Sequence, residues 1–264
     1  MVGVLLMRGM LVGLLAGLLC FAFLKFVGEP SLDRAIAFEA AASHNHPHEH
    51  VHDAQGAKDG AAADLHDHGA SEELVSRAVQ SGLGLFIGVV VYSAAFGGLF
   101  ALAFAFVYGR VDLDARGTAT LLAALAFVAL YLMPSLKYPA SPPSVGSAET
   151  IGARTALYFA MMALSLAAMI LAALLRRLLV DRLDHWNATV VAGLAYLAVV
   201  ALAAAILPAV DEVPAEFPAT VLWQFRIASI GAQLLMWATI GLGFGLWTAR
   251  ADQAVQPRVG ARAS

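Results

Sequence analysis

Six stretches of this chain contain no Asp, Glu, Lys, Arg or His: residues 9–24, 82–107, 117–136, 155–175, 186–210 and 227–249. A helix rises ~1.5 Å per residue and the hydrocarbon core of a bilayer is roughly 30 Å thick, so about 20 apolar residues cross it. The last five stretches are long enough as they stand, and the first becomes so by extending through Lys25 to Val27. A chain that is 60% hydrophobic and 13% charged, with a mean hydropathy of +0.76, has no soluble-domain composition. The expected fold is therefore an all-α membrane protein of about six transmembrane helices.

Arg8 ahead of an apolar run would suit a signal peptide, but no A-x-A-like cleavage site follows it, and Leu19 before Cys20 is too bulky for lipoprotein processing. Residues 1–27 are accordingly read as a retained first span. Cys20 is the single cysteine, which excludes an intramolecular disulfide.

Six spans place both termini on one side, and basic residues indicate which. Arg8, Arg110, Arg116, Arg176, Arg177, Arg182, Arg250, Arg258 and Arg262 flank one face; Lys25, Arg34, Lys58, Arg77, Lys137 and Arg154 flank the other. The nine-arginine face is expected to be cytoplasmic, in a bacterial inner (cytoplasmic) membrane. Residues 28–81, 137–154 and 208–219 then face outward. The expected organisation is a first helix (1–27), a long outer loop (28–81), a five-helix region (82–250) and a cytoplasmic tail (251–264).

Within the outer loop, Leu32, Ala35 and Ile36 have the spacing of a short interfacial helix. From Ser43 the composition turns to His, Asp, Ala and Gly, and residues 43–68 are expected to be disordered without a ligand. Ser71 with Glu72 and Glu73 reads as a helix N-cap leading into the second span.

The segment "HNHPHEHVHD" places His44, His46, His48, His50 and His52 at every second position, and His66 and His68 repeat the step. Pro47 disfavours a helix here, and in an extended chain alternate imidazoles form a row of nitrogen donors. Asp64 and Asp67 add oxygen. Such a set suits Co2+, Ni2+, Cu2+ and Zn2+ without choosing among them. The plain alternative is a solvated spacer. His48 to His52 also spells H-E-x-x-H, but a zinc protease needs that motif on a rigid helix, and in a tract this rich in histidine the match carries little weight. His185, beside Trp186, reads as an interfacial residue.

None of the lysines Lys25, Lys58 and Lys137 precedes Ser or Thr, so there is no Walker motif and no ATP hydrolysis by that route. Nothing indicates a catalytic centre, a prosthetic group or a nucleic-acid partner. Gly9, Gly13 and Gly17, Gly84 and Gly88, and Gly241 and Gly245 have the i, i+4 spacing of close helix contacts. Met161, Met162 and Met169 could serve as soft ligands but more often fill packing gaps. Arg226, alone in an apolar region, is expected to pair with an acid of the preceding loop, Asp211, Glu212 or Glu216, or to snorkel outward.

Three blocks carry a resemblance: "GEPSLDRAIAFE" at 28–39, "PSLKYPASPPSVGSAETIGART" at 134–155 and "PAVDEVPAEFPATVLWQFRIASIGAQ" at 208–233. With these the chain resembles the CbtA family of predicted cobalt transporters, the larger membrane subunit of an uptake system. The resemblance implies cobalt as cargo, a small single-span His-containing partner subunit and a link to cobalamin synthesis. Combined with the residue reading, it gives an importer of a divalent transition metal, Co2+ ahead of Ni2+ or Zn2+, whose outer histidines capture the ion. Glu29, Asp33, Glu39, Glu149, Asp211 and Glu212 are candidate path residues, because rim carboxylates attract cations; solvated loop charge is the alternative for each. A membrane-bound metal sensor or metal-delivery protein without translocation is the rival reading, with a membrane metalloprotease a remote one.

Overall fold

The computed structural model describes residues 2–44, 77–143 and 145–260. Six helices among them are long and apolar enough to cross a membrane: α1 (Val2–Ala41), α2 (Gln80–Val107), α3 (Ala115–Lys137), α4 (Ile151–Leu179), α5 (His185–Ile206) and α6 (Ala219–Gln253). They are expected where they fall, since each carries one of the six uncharged stretches. Many large apolar side chains stay exposed, among them Phe26, Leu136, Leu178 and Ile206. This is the surface a protein presents to lipid, which is as apolar as leucine and leaves polar and small residues to the helix contacts.

The first helix does not stop at Val27. A π-helical turn at Leu24–Gly28 joins Val2–Phe23 to a second helical segment, Glu29–His44, so the chain continues as helix into the region of "GEPSLDRAIAFE". A second π-helical turn, Val128–Leu132, lies in α3 before Met133–Lys137. Both turns end two residues before a proline, Pro30 and Pro134. Proline has no N–H to give and its ring crowds the carbonyl one turn back, so the helix widens ahead of it. A serine follows each proline and donates to a carbonyl left in the turn, Ser31 Oγ to Gly28 O at 2.7 Å and Ser135 Oγ to Leu132 O at 2.9 Å. A third π-helical turn, Gln80–Gly84, opens α2 with no proline to account for it.

The short connections opposite are capped by aspartates. Asp114 accepts from Gly117 N at the start of α3, and Asp184 accepts from Trp186 N and Asn187 N at the start of α5, each satisfying amides that have no partner in the helix itself.

Helices α1, α2, α3 and α6 form the core. Gly9 and Gly13 lie so close to α2 that a methyl group at either would collide with the Gly97 or Ser93 carbonyl oxygen, and at Gly17 it would sit 2.7 Å from the Val90 Cα. Gly241 and Gly245 make the matching approach to α3, where a methyl would meet Ala123 Cβ at 2.5 Å and Ala119 Cβ at 3.0 Å. The spacing argument holds for α1 and α6. It does not hold for α2, where nothing lies near Gly88 and Gly84 approaches only its own preceding turn; Gly97 makes the contact instead. Aromatic edges close the centre, with Phe104 and Phe244 at 4.9 Å and Phe96 and Trp237 at 5.7 Å.

Helices α4 and α5 form a hairpin beside this core. Met161, Ser165, Ala168 and Ala172 bury against Ala192, Tyr196 and Val200, with Ser165 Oγ and Tyr196 Oη 2.9 Å apart. Met161 and Met169 fill this packing. The hairpin meets the core along α3, at Val128, Met133 and Tyr138.

Candidate functional site

The segments 28–44, 138–150 and 207–218 gather on one face. Ala35, Val145, Phe217 and Val221 bury together, and Arg34 Nη1 donates to Gln224 Oε1 at 2.6 Å, so the helical extension of α1 rests on the other two segments. Among the described residues, these segments carry all six candidate path carboxylates, Glu29, Asp33, Glu39, Glu149, Asp211 and Glu212.

A cavity of about 400 Å3 opens there between α3, α4 and α6, lined by Tyr131, Ser135, Tyr138, Arg154, Tyr158, Glu212 and Arg226 among others. Glu212 is its carboxylate and is engaged through Oε2. Thr150 Oγ1 donates to it at 2.8 Å, the Ser147 amide at 3.0 Å, and Arg154 Nε lies 3.5 Å away. The Thr150 hydroxyl, then the Ser147 amide, hold its carboxyl below the usual carboxylate range, with partial desolvation opposing and the Arg154 charge assisting. Arg154 also donates to Ser147 O at 3.2 Å. Its guanidinium lies across Gly146, whose φ of 99° already demands glycine and whose missing side chain leaves room for the guanidinium. Val145, Ser147, Thr150 and Glu212 are thus one network built around Arg154.

Arg226 lines the same cavity but does not pair with an acid. Its Nε donates to Ala140 O at 3.3 Å, its one hydrogen bond among the described residues. The expected partners Asp211 and Glu216 are exposed, and Glu212 belongs to Arg154. A backbone carbonyl is available because residues 139–142 form an irregular segment whose carbonyls have no helical partners.

A second grouping stands where the 28–81 segment leaves and rejoins the helix bundle. Arg77 Nη2 bridges Glu29 at 2.7 Å and Asp33 at 2.9 Å, and Lys25 Nζ donates to Ser81 O at 3.1 Å. These bonds clasp the two ends of the long loop. Glu29 is buried and Asp33 exposed. Glu39, Glu149 and Asp211 are exposed and join neither grouping. His44 ends the helical extension, and His46, His48, His50, His52, His66 and His68 lie outside the described residues, as does the Ser71 cap. Among the described residues, no three His, Cys, Asp or Glu side chains come together as a metal site.

The tyrosines were not anticipated. Tyr131 bonds Ser229 at 2.7 Å and Tyr138 donates to Pro208 O at 2.8 Å. Their one sequence signal is position, at the loop-face ends of apolar stretches, where aromatic belts also occur.

Six long apolar helices among the described residues define a polytopic membrane protein. Residues 2–249 match the family described as probable cobalt transporter subunit (CbtA). The chain belongs to that family, so it is a cobalt transporter subunit and not an enzyme. No curated protein and no solved structure matches it.

Proposed function

We propose that the chain imports Co2+ across a bacterial inner membrane, with the loop face outward and both termini in the cytoplasm. The excess of arginine on the opposite face supports that orientation. The histidines at 44, 46, 48, 50, 52, 66 and 68 capture the ion, and the clasp of Arg77 on Glu29 and Asp33 carries the reading. It ties Arg77 to the start of the helix that ends at His44, so Glu29 and Asp33 stand where the 28–81 segment leaves and rejoins the bundle, between the histidines and the spans in chain order. Exposed Glu39, Glu149 and Asp211 add attraction for cations at the rim. Glu212, held through one oxygen by Thr150, Ser147 and Arg154, contributes by holding the rim together.

A small single-span subunit bearing histidines is the proposed partner, and cobalamin synthesis the proposed destination. Ni2+ and Zn2+ would bind the same imidazoles, since such donors follow the general affinity order rather than selecting cobalt. Flux of Co2+ into proteoliposomes, with and without the small subunit, tests the function. Deleting residues 43–68 is expected to raise the concentration for half-maximal uptake and leave the maximal rate nearly unchanged. Metal binding without flux under every condition would replace import by metal delivery or sensing. Alkaline phosphatase fused after residue 60 should be active and after residue 264 silent; the reverse would invert the orientation.

A further inference from the structure

The cavity of about 400 Å3 between α3, α4 and α6 carries an unbalanced positive charge: its charged lining is Arg154, Arg226 and Glu212. Arg154 and Glu212 stand as a pair at 3.5 Å, with Glu212 Oε2 also taking the Thr150 hydroxyl and the Ser147 amide. Arg226 is left without an acid. Its Nε donates to Ala140 O, and its two terminal nitrogens have no hydrogen bond among the described residues. A guanidinium stays charged at any ordinary pH, and those nitrogens form a planar fork that matches two oxygens of a carboxylate or phosphate. An arginine set in an apolar stretch is costly unless it meets a counter-charge or water.

Tyrosines meet Arg226 at one level. Arg226 lies below Ala219 at the start of α6, Tyr158 below Ile151 at the start of α4, and Tyr131 below Lys137 at the end of α3. Each is about two turns, roughly 10 Å, from the loop-face end of its helix. In a bilayer that level is near the boundary between headgroups and acyl chains. Tyr131 is tied to Ser229 and Tyr138 to Pro208 O, so two walls are fixed. Tyr158 packs its ring on Phe159, and its hydroxyl has no hydrogen bond among the described residues. A divalent cation does not suit this lining, since one carboxylate stands against two guanidiniums. An oxyanion does. It would also span the seam of the fold, because Arg226 belongs to the core and Tyr158 to the hairpin, which meet along α3.

The geometry points to an oxyanion site: the terminal nitrogens of Arg226 hold two oxygens of a phosphate or carboxylate, and the Tyr158 hydroxyl donates to the same group. A volume of about 400 Å3 admits a lipid headgroup or a small organic acid. A fork of N–H donors favours a phosphate or carboxylate over chloride. Glu212 Oε1, which takes no hydrogen bond among the described residues, disfavours a polyanion and suits a ligand that also carries a hydroxyl or a proton. Two sources present this chemistry. One is the phosphate of a membrane lipid, which lies at this level; the other is a free phosphate or hydroxy acid arriving from the loop face. The site does not depend on the cargo, and stands whether the metal ion is imported or only bound.

The test uses full-length protein, delipidated in a nonionic detergent and held in chloride at constant ionic strength, with thermal melting as the readout. Separate arms add inorganic phosphate, lactate, phosphatidylglycerol, or diacylglycerol as the lipid without a phosphate. At least one oxyanion should raise the melting temperature saturably, and diacylglycerol should not. A response to phosphatidylglycerol alone assigns the site to lipid, and a response to phosphate or lactate assigns it to a free anion. Phospholipid that stays with the protein in stoichiometric amount through delipidation, and is lost in Arg226→Gln, also assigns it to lipid. Arg226→Lys keeps the charge without the fork and should raise the half-saturating concentration roughly tenfold, and Tyr158→Phe about threefold. Arg182→Gln, at an exposed arginine of the opposite face, should leave it unchanged. The site is overturned if phospholipid-free wild-type protein responds in no arm, or if Arg226→Gln responds as wild type does. Unchanged half-saturation in both Arg226→Lys and Tyr158→Phe overturns it as well.

Discussion

The core of α1, α2, α3 and α6 and the hairpin of α4 and α5 are both built of helices apolar enough to span a membrane but are packed by different means. In the core, glycines bring backbones into contact and aromatic edges interlock, so no side chain can move far without moving a helix. In the hairpin, alanines and a serine meet two methionines, a tyrosine and a valine, and both helices expose many leucines, isoleucines and valines. Lipid offers no hydrophobic drive to bring helices together, so contact quality decides which pairs are fixed. The core is the fixed part, and the hairpin is joined to it through α3 and through the polar network on the loop face.

The sharpest way to break this comparison is a matched pair of glycine substitutions. Gly13→Leu would place a side chain against the Ser93 carbonyl, and the overpacking should cost about 3 kcal/mol or more. Little monodisperse protein should be recovered from membranes. Gly193→Leu in α5, where nothing lies within 4 Å, should change recovery and melting temperature little, by no more than ~0.5 kcal/mol. Equal damage from both would erase the distinction.

Arg226 tests the seam between the two parts, since it joins α6 to the segment that leads into α4. Arg226→Ala should lose about 1.5 kcal/mol, the usual worth of a hydrogen bond from a charged donor. Because the partner is a carbonyl, charge swaps of Arg226 with Asp211, Glu212 or Glu216 should give no rescue in a thermal-melt comparison. Rescue by any one of them would restore acid pairing.

Within the hairpin, Tyr196→Phe removes the bond to Ser165 and should cost about 0.6 kcal/mol, the average for interhelical hydrogen bonds in lipid. A shift in melting temperature far beyond that would make the hairpin as tightly specified as the core.

The smallest effect concerns pH. Glu212 has a folded pKa below its unfolded value, so its stabilising contribution is complete above the ordinary carboxylate pKa near ~4.3. The contribution is lost as pH falls through the depressed folded value. Limited proteolysis of the loop face should therefore be unchanged from neutral pH down to about 4.5 and accelerate only below, and Glu212→Gln should abolish that acid-dependent step.

Much of this protein is legible in its sequence. The uncharged stretches locate the six helices, because length and the absence of charge are all that a bilayer asks of a span. The Gly-x-x-x-Gly steps of α1 and α6 identify their contact faces. The same step fails in α2, because spacing marks a smooth face without saying whether a neighbour lies against it. Arg226 shows the same limit in electrostatics. Its place in an apolar stretch called for a partner or a route to water, but which acceptor reached it depended on how segment 139–142 crosses the cavity.

What the sequence determined by itself is local: span number, the alternation of apolar spans with polar connections, and through its three blocks the family. Only the tertiary structure decided which carboxylates stand together. Glu29 and Asp33, one turn apart, receive one arginine from far along the chain, and Glu212 receives Thr150 and Arg154 across two helices. It alone brought Tyr131, Tyr158 and Arg226 to one cavity from three separate spans. The reason is physical. Crossing a membrane is a property of each segment with its solvent, whereas a site is a property of segments with one another.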